Sequence, residues 1–368
     1  MAGRSIPSLA ASSFAASLSA GHIHLYQHST AHPVPVPGAH GDAQHFIHVV
    51  PGLNDKPAVP FKTPELGKRG ARDVFAGPDF GPGEKILDLS SSDGAPYALV
   101  HNLHALMPEH FMAIPHFGNE RPFRPQTSDL SESDLEVAWR VVEAYQGDGR
   151  ETACFFNGGP LAGASQAHLH LQFAPFQHGV PPLPEAVARS LQLPLPSSPS
   201  SAPSVTRLPL PWVSFVTRLP ASPSRSCLVS AYAALLGTLK PFLSSQPSSL
   251  LPPEGDLRNS YNLFLTSKHM HLVPRADRLV RIRRERSQGQ GASGGGWEGQ
   301  PGETSEMRLS VNGLLYLGWW YVGTEEEAAD LREHGLARTL VEAGYRNGAY
   351  AGAGGGREFD EDTRETVC

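Results

Sequence analysis

A glycine-rich loop that runs directly into a β-strand constrains this chain more than any other stretch. The segment 157–173 begins with three glycines within seven residues, and over 168–173 polar and apolar residues alternate. Alternation of this kind predicts a strand with two unlike faces. One face carries His168, His170 and Gln172, and the other carries Leu169, Leu171 and Phe173. Glycines let backbone N–H groups turn toward an anion, so the pattern predicts a site for phosphate chemistry.

A histidine on this strand can act as a nucleophile toward phosphorus when its ring is neutral and a hydrogen bond selects the tautomer. With an unperturbed pKa of about 6.5, such a ring is mostly neutral at cellular pH. Attack on the α-phosphorus of a nucleotide would form a covalent nucleotidyl-histidine. Gln172 faces the same way and could bind a phosphate oxygen. Ser165, Gln166 and the N–H groups of Gly163 and Ala164 could hold the charge that develops in the transition state.

Two other interpretations of the paired histidines stay open on the residues alone. Histidines two apart on a strand can bind a metal, which would make the protein a zinc or iron oxygenase that uses His168 and His170. A third ligand is then needed, and only His178 lies close in sequence. The two imidazoles could also be satisfied core residues. The glycine-rich loop directly upstream favours nucleotidyl transfer.

Composition excludes some classes of protein. The net charge is −6, which argues against a general nucleic-acid or membrane binder, because those need a basic surface. Three scattered cysteines predict a reducing compartment. No apolar run approaches the ~18 residues of a membrane span. The nearest, Leu309–Gly323, is interrupted by Asn312 and by glycines and is predicted to be a buried strand.

Hydrophobic periodicity and turn residues predict the secondary structure and its organisation. Helices are predicted over 131–147, 230–240, 324–334 and 337–344, and the first and third begin with capping boxes. Strands are predicted over 46–50, 97–102, 110–114, 153–156, 168–173, 260–266 and 270–275. We predict an N-terminal segment over 1–40, a first domain over 41–185, a Pro/Ser-rich linker over 186–205, a second domain over 206–349 with a Gly-rich insertion at 287–303, and a disordered tail over 350–368.

The first forty residues allow two interpretations. They are rich in Ser, Ala and His and contain no acidic residue before Asp42, as in a transit peptide. The stretch Ser8–Ser19 also carries a weak helical pattern, and alternating residues follow over His22–Tyr26. This second observation predicts a native helix and strand.

The sequence GASQAHLHLQF over 163–173, together with Asn157, resembles the signature of the ATP adenylyltransferase family, also called diadenosine tetraphosphate phosphorylases. This family is a branch of the histidine-triad superfamily. Weaker likenesses lie at 46–57, 100–102, 108–111, 126–130, 260–266, 273–275 and 310–318. The resemblance implies an α+β fold: a histidine-triad-like antiparallel sheet with flanking helices, in which two sequence lobes form one nucleotide cleft.

The resemblance also implies the reaction and its residues. The reaction would be phosphorolysis of diadenosine tetraphosphate to ATP and ADP through an AMP–histidine intermediate. The implied catalytic residues are His170 as the nucleophile, His168 and Gln172, and hydrolases of the superfamily carry a third histidine at the position of Gln172. The implied substrate-binding residues are Lys56, Asn102, Asn157, Gly163, Ala164, Ser165, Gln166, Gln172, Ser310, Val311, Asn312 and, more loosely, Trp319. No metal ligands are implied.

The chain departs from the family pattern at two phosphate-contacting lysines, which are replaced by Leu103 and Gly323. Loss of these positive charges removes ionic hydrogen bonds and so lowers the affinity for a polyphosphate chain. The missing lysines keep open a nucleotide sensor without catalysis. An ADP sulfurylase that uses sulfate as acceptor is a second alternative, which the resemblance allows and the sequence does not decide. We expect ATP, ADP, diadenosine tetraphosphate and inorganic phosphate as ligands, with Mg²⁺ accompanying the nucleotide and no tightly bound cofactor. We further expect a cytoplasmic monomer without nucleic-acid or membrane partners, or a plastid protein if the N-terminus is a transit peptide.

Overall fold

A computed structural model of the chain describes residues 5–28, 30–36, 43–53, 80–116, 123–195, 203–247, 260–285 and 304–350. Its helices are α1 (Ile6–Ser19), α2 (Glu132–Gly147), α3 (Leu183–Ser190), α4 (Arg225–Ser244), α5 (Gly313–Tyr316), α6 (Glu325–His334) and α7 (Leu336–Ala343). Its strands are β1 (His24–Leu25), β2 (Thr30–Pro35), β3 (Gln44–Val49), β4 (Lys85–Ser90), β5 (Pro96–His101), β6 (His104–Ala105), β7 (Phe111–Pro115), β8 (Thr152–Gly158), β9 (Leu171–Pro175), β10 (Thr206–Arg207), β11 (Phe215–Arg218), β12 (Tyr261–Leu265), β13 (His269–Pro274), β14 (Leu279–Glu285), β15 (Thr304–Ser310) and β16 (Trp319–Val322).

One nine-stranded antiparallel sheet carries the fold, in the order β10-β11-β13-β12-β8-β9-β7-β5-β4. Strands from the first half of the chain occupy one side and strands from the second half occupy the other. They meet where β8 pairs with β12, with Asn157 opposite Asn262. The predicted α+β fold with an antiparallel sheet and flanking helices is thus confirmed, and both sequence lobes share its sheet.

The two faces of the sheet bury different partners. One face packs against α1, α2 and α4 through side chains such as Phe173 and Leu272. The opposite face, which includes Phe155 and Phe264, packs against α3, α5, α6, α7 and a small sheet of order β16-β3-β2. Because strand side chains alternate between faces, every second residue of β8, β9, β12 and β13 points toward this second layer.

Helix α2 forms where its capping box and apolar stripe predict it. The side chain of Ser131 accepts a hydrogen bond from the N–H of Asp134, and the Asp134 carboxylate accepts one from the N–H of Ser131. This reciprocal pair satisfies donors that a helix start leaves unpaired. Asp134 is fully buried and also binds the Arg124 guanidinium at 2.6 and 2.8 Å and the Tyr97 hydroxyl at 2.7 Å.

Two sequence-based expectations are corrected. The stretch 309–322 is not one buried strand: β15 ends at Ser310, the short helix α5 follows, and β16 begins at Trp319. Asn312 breaks the run because its side-chain oxygen accepts the N–H of Leu314 and starts the helix. Helix α4 does not stop before Pro241 but continues to Ser244, since Phe242 and Leu243 are buried and hold its last turn.

The N-terminal segment is helical as its apolar spacing predicted. Helix α1 buries Ala10 and Phe14, and Ser13 Oγ lies 2.8 Å from His101 Nε2 on β5. Strand β1 follows within the alternating stretch. The predicted insertion at 287–303 and the tail from 351 onward lie outside the described residues, and the domain boundaries stay predictions.

Within the described ranges, α4 alone is long and apolar enough to cross a membrane. Its residues Leu228, Tyr232, Leu235 and Leu239 are buried in the cluster that contains α2. Core helices pass the same test of length and composition, so this observation is weak evidence for a span.

The two edges of the large sheet are both irregular. At one end β10 is only two residues long. At the other end β4 has a register shift between Lys85 and Leu87, and Lys85 pairs with Asp88 at 2.9 Å. A bulge and charged side chains are features that weaken an exposed strand edge as a template for pairing.

Replacing Asp134 should destabilise the protein strongly. We expect Asp134→Ala to lower the free energy of unfolding by about 3–5 kcal/mol, because it leaves the Arg124 charge and the Ser131 and Tyr97 donors without their acceptor. Urea unfolding measures this. Glu143→Ala, an exposed position on the same helix, is the control and should change stability by no more than about 0.5 kcal/mol. A loss below about 1 kcal/mol at Asp134 would contradict the expectation.

Candidate active site

The glycine-rich loop and the paired histidines lie on the sheet face opposite α2. Leu169, Leu171 and Phe173 are buried in the cluster that contains α2. His168 and His170 are also buried, at 1% and 2% exposure. Regular strand pairing starts only at Leu171, later than predicted, and His168 makes a single bridge with Pro125.

The side chain of Gln126 explains why the strand begins late. In the register of β8 with β9, Phe155 faces Gln172, so Asn157 would face His170 two residue pairs further along. The Gln126 amide occupies that position: its Nε2 donates to the carbonyl oxygens of Asn157 at 3.0 Å and of His170 at 3.3 Å. Its Oε1 accepts the N–H of His170 at 2.8 Å. A fully buried amide thus replaces the missing backbone pairing.

The imidazole of His170 is fixed by a hydrogen bond to its own strand. Its Nδ1 lies 2.9 Å from the carbonyl oxygen of His168. A carbonyl oxygen can only accept, so Nδ1 carries the proton, and in the neutral ring the lone pair is on Nε2. Nucleophilic attack through Nε2 requires this tautomer. His168 contributes to the arrangement through its backbone, while its ring lies 5.2 Å from that of Phe123.

Gln172 is oriented by His110, the residue directly before the neighbouring strand β7. Its Oε1 lies 3.1 Å from His110 Nε2. With Oε1 accepting from His110, the NH₂ group of Gln172 is left as the donor end of the side chain. Asn102 lies beside the same ring, with Nδ2 3.4 Å from His110 Nε2, and its Oδ1 accepts the N–H of His104. The structure therefore brings Asn102 and Gln172 together through His110.

The glycine-rich loop is pressed against the second half of the chain. Gly159 and Gly163 have φ values of 90° and 82°, and a 3-10 turn over Pro160–Ala162 lies between them. A Cβ on Gly163 would lie 2.6 Å from the carbonyl oxygen of Val311 and 2.6 Å from Asn312 Cβ. Only glycine fits this close approach, which joins the loop to the predicted nucleotide contact at 310–312.

Asn157 binds the scaffold with the oxygen of its side chain. That oxygen accepts from Asn262 Nδ2 at 2.8 Å and from the N–H of Gly313 at 3.0 Å. Asn262 also donates to the Ala162 carbonyl at 2.9 Å and accepts from Arg275 Nη1 at 2.7 Å. Asn157 was predicted to bind the adenylyl group, and this geometry gives its oxygen a structural role in holding the loop.

The other predicted substrate residues have varied surroundings. Ala164 is buried, Ser165 is exposed and Gln166 is half-buried on the loop itself. Val311 is buried and its carbonyl accepts from Arg275 Nη2 at 2.9 Å, whereas Ser310 is exposed at the end of β15. Trp319 is 1% exposed within an apolar cluster, so packing accounts for it without a ligand. Lys56 lies outside the described residues.

Both departures from the family pattern fall within the described residues. Leu103 is 39% exposed, a position where the family's lysine would meet solvent or ligand. The N–H of Gly323 donates to Glu327 Oε2 at 2.6 Å and helps to start α6. Neither position supplies a charge to a polyphosphate.

The metal interpretation of the paired histidines finds no support in the described part of the chain. In that part of the chain, one group of side chains has donor atoms close enough to hold an ion: Glu185, His269 and His271. His168 and His170 do not belong to it, and His170 Nδ1 is bound to a carbonyl oxygen.

Sequence reasoning gave no role to four buried residues that organise the site: Gln126, His110, Asn262 and Arg275. Asn262 had a signal, because it is a polar residue in the middle of an apolar strand. The other three join the site through contacts with Gln172, Asn157, His170 and Asn262 that span 13 to 62 residues of sequence, so these contacts depend on tertiary structure.

Substituting Gly163 should cost more stability than substituting a glycine in open space. Gly179 has a similar φ of 69°, but nothing lies within 4 Å of its added Cβ. Both alanine variants should lose about 1 kcal/mol from backbone strain, and Gly163→Ala a further 1–3 kcal/mol, roughly, from overpacking against Val311. Urea unfolding of the two variants measures the difference. Equal losses would show that the loop can move away from Val311.

Comparison with known proteins identifies two domains in the chain. Residues 82–188 match the family model described as the Ap4A phosphorylase N-terminal domain, and residues 208–346 match the ATP adenylyltransferase C-terminal domain. Ap4A is diadenosine tetraphosphate. Diadenosine 5',5'''-P1,P4-tetraphosphate phosphorylase 2 of Saccharomyces cerevisiae is 26% identical over 318 residues, which cover 83% of this chain and 85% of the yeast protein. Protein APA1 of the same yeast is 24% identical, covering 82% and 84%.

Solved structures have the same fold. The crystal structure of yeast Ap4A phosphorylase Apa2 in complex with Ap4A matches with a TM-score of 0.68 and 23% identity, over 95% of this chain and all of that one. The Apa2 complex with AMP matches with a TM-score of 0.66 and 23% identity, over 95% and 99%. With the two domain matches covering most of both halves of the sheet, the chain belongs to the Ap4A phosphorylase family of nucleotidyltransferases.

Proposed function

We propose that this protein is an Ap4A phosphorylase that carries AMP on His170 between two acceptors. The single observation that carries the proposal is the hydrogen bond from His170 Nδ1 to the His168 carbonyl oxygen, which leaves the lone pair on Nε2. The family membership and the Ap4A and AMP in the related yeast structures supply the substrate class.

The first step is attack of His170 Nε2 on an α-phosphorus of Ap4A. The new P–N bond forms as the bond from phosphorus to the bridging oxygen breaks, so ATP leaves as an anion and AMP stays on the ring. The substituted imidazole becomes positively charged, with its remaining proton on Nδ1. The His168 carbonyl oxygen stabilises that charge, and a hydrogen bond to a charged group contributes about 1.5–3 kcal/mol.

The second step returns the imidazole to its starting state. An oxygen of inorganic phosphate attacks the phosphorus, the P–N bond breaks, and ADP leaves. Because both half-reactions use the same ring and tautomer, the reverse direction forms Ap4A from ATP and ADP by the same steps. Mg²⁺ would accompany the polyphosphate and offset part of its charge.

Gln172 and the glycine-rich loop would bind the phosphate oxygens. With its Oε1 occupied by His110, Gln172 offers its NH₂ group to a non-bridging oxygen. Backbone N–H groups of Gly163 and Ala164 would act in the same way. Gln126 holds the backbone of His170 on both sides, which limits rotation of the nucleophile away from the phosphorus.

The protein should convert Ap4A into ATP and ADP only when phosphate is present. Incubation with ADP labelled at its α-phosphorus should label the wild type, because the reverse of the second step transfers AMP to His170 as phosphate leaves. After a quench that spares phosphoramidates, His170→Ala should be unlabelled. His168→Ala is the matched variant: it should still become labelled, though more slowly, because the residue acts through its carbonyl oxygen.

Three outcomes would contradict this proposal. Labelled His170→Ala would place the nucleophile elsewhere. Tight nucleotide binding without turnover would indicate the sensor. Turnover with sulfate and not with phosphate would indicate the ADP sulfurylase, whose first half-reaction is the same adenylyl transfer to histidine.

Gln172→Ala should separate binding from chemistry. We expect slower adenylyl transfer with nucleotide affinity kept within about tenfold, or about 1.4 kcal/mol, because the amide acts mainly on charge that develops in the transition state. Single-turnover rates and equilibrium binding of AMP measure the two effects. A loss of affinity larger than the loss of rate would assign the amide to ground-state binding.

A further inference from the structure

Three buried side chains from distant parts of the sequence meet on the same sheet face, away from His170. Glu185 comes from α3, and His269 and His271 come from β13. They are 0%, 3% and 0% exposed. Glu185 Oε2 lies 3.1 Å from His269 Nδ1 and 3.1 Å from His271 Nε2. All three donor atoms lie within 4.8 Å of one another.

We propose that Glu185, His269 and His271 bind a divalent transition-metal ion of the zinc type. In tetrahedral or octahedral sites with metal–ligand bonds of about 2.0–2.2 Å, neighbouring ligand atoms are about 2.9–3.5 Å apart. The two separations of 3.1 Å fall within this range. Two imidazoles and a carboxylate are also a donor set that zinc and iron use in proteins.

The hydrogen bonding of Glu185 favours an ion over a metal-free triad. Without an ion, both imidazoles would have to donate to Oε2, and Thr266 Oγ1 lies 2.9 Å from the same oxygen. A carboxylate oxygen offers about two lone-pair sites, so the two imidazoles would fill it and leave the Thr266 hydroxyl its more distant acceptor, the His269 carbonyl oxygen at 3.3 Å. Oε1 meanwhile accepts from Arg189 Nε at 2.7 Å. An ion among the three donor atoms binds the imidazole lone pairs and leaves Thr266 as the only hydrogen bond on Oε2.

The surroundings supply the support that metal ligands usually have. Arg189 fixes the second carboxylate oxygen, and Thr266 is itself held by the N–H groups of Lys268 and His269 at 3.2 and 3.1 Å. Such outer hydrogen bonds orient ligands and tune the metal. The fourth ligand would be a water, because the Thr266 hydroxyl already accepts from two N–H groups and donates to Oε2.

The local charge also favours a cation. Arg189 pairs with both Glu185 and Glu151, so with neutral imidazoles the group carries two negative charges and one positive charge. A net negative charge around a fully buried carboxylate is costly, and a divalent cation offsets it.

The position of this group suggests a structural role. Gln172, Phe155, Phe264 and His271 lie in one row across adjacent strands. Three strand spacings put His271 about 14 Å from Gln172, so the ion would not touch the transferred phosphorus. Glu185 belongs to the N-terminal domain match and both histidines to the C-terminal one. The ion would therefore tie the two domains together.

The test is the metal content of the full-length chain made without an affinity tag. Because the ligands are buried, the ion should enter during folding, so cells are grown with added zinc and the purified protein is analysed by mass spectrometry. We expect about one metal ion per chain. Growth with cobalt instead should give a visible d–d absorption band.

Two glutamine variants distinguish the ion from a hydrogen-bonded triad. His269→Gln and His271→Gln can still donate to Glu185, yet an amide is a poor ligand for zinc, so each should retain less than about a tenth of the metal. His334→Gln is the control, since His334 also lies 3.1 Å from a glutamate but lacks a second imidazole. It should retain full metal.

Several results would overturn the proposal, and none depends on enzymatic activity. If the wild type contained no stoichiometric zinc and showed no cobalt band, the three side chains would form a hydrogen-bonded triad without a metal ion. Metal retained in both glutamine variants would place the ion elsewhere. Metal lost in His170→Ala and kept in the glutamine variants would assign it to the nucleotide site. The wild-type measurements stay decisive even if a variant fails to fold.

Discussion

The pairing of Asn157 with Asn262 is the contact on which the rest of the structure depends. It lies where β8 pairs with β12. Within the described nine-stranded sheet, this is the only pair that joins strands from the two halves of the chain. The Asn262 amide binds Asn157 and the Ala162 carbonyl, and Arg275 binds the oxygen of Asn262. Because each of these groups is buried, loss of one partner would leave others unsatisfied, at about 1–3 kcal/mol for each group.

This arrangement makes the active site a product of both halves. The first half supplies the imidazole, the glutamine and the loop, and the second half supplies the surface at Val311 and Asn312 against which the loop rests. Arg275 reaches both parts, since it donates to Asn262 and to the Val311 carbonyl. A fully buried guanidinium with so many fixed acceptors holds these backbone segments at set distances.

Much of the fold could be predicted from the sequence, because it depends on local patterns. The capping box at Ser131 starts α2, and alternation over 168–173 placed three apolar side chains in the core. The resemblance over 163–173 added the family, which the two domain matches confirm. The prediction of one buried strand over 309–322 was wrong because buried strands and short buried helices have the same apolar composition. The helix cap at Asn312 is the feature that distinguishes the two here.

The site was harder to predict, since its organisation depends on contacts between distant residues. Gln126 is 44 residues away from His170 in sequence, yet its side chain takes the place of a backbone pair in the sheet. No periodic pattern in the sequence predicts such an insertion. The cluster of Glu185 with His269 and His271 spans more than 80 residues. The roles of the predicted catalytic and binding residues stay predictions until the variants are measured.

The irregular ends of the large sheet have a consequence for how copies of this protein meet. The edge strands of an open nine-stranded sheet can normally pair with a strand of another chain, because their backbone N–H and C=O groups are unpaired. Here one margin is two residues long and the other is bent and charged, so lengthening the sheet across a molecular boundary is unfavourable. Contacts between copies of this protein should therefore avoid the two edges of this sheet, and the same edges should protect it against edge-to-edge aggregation at high concentration.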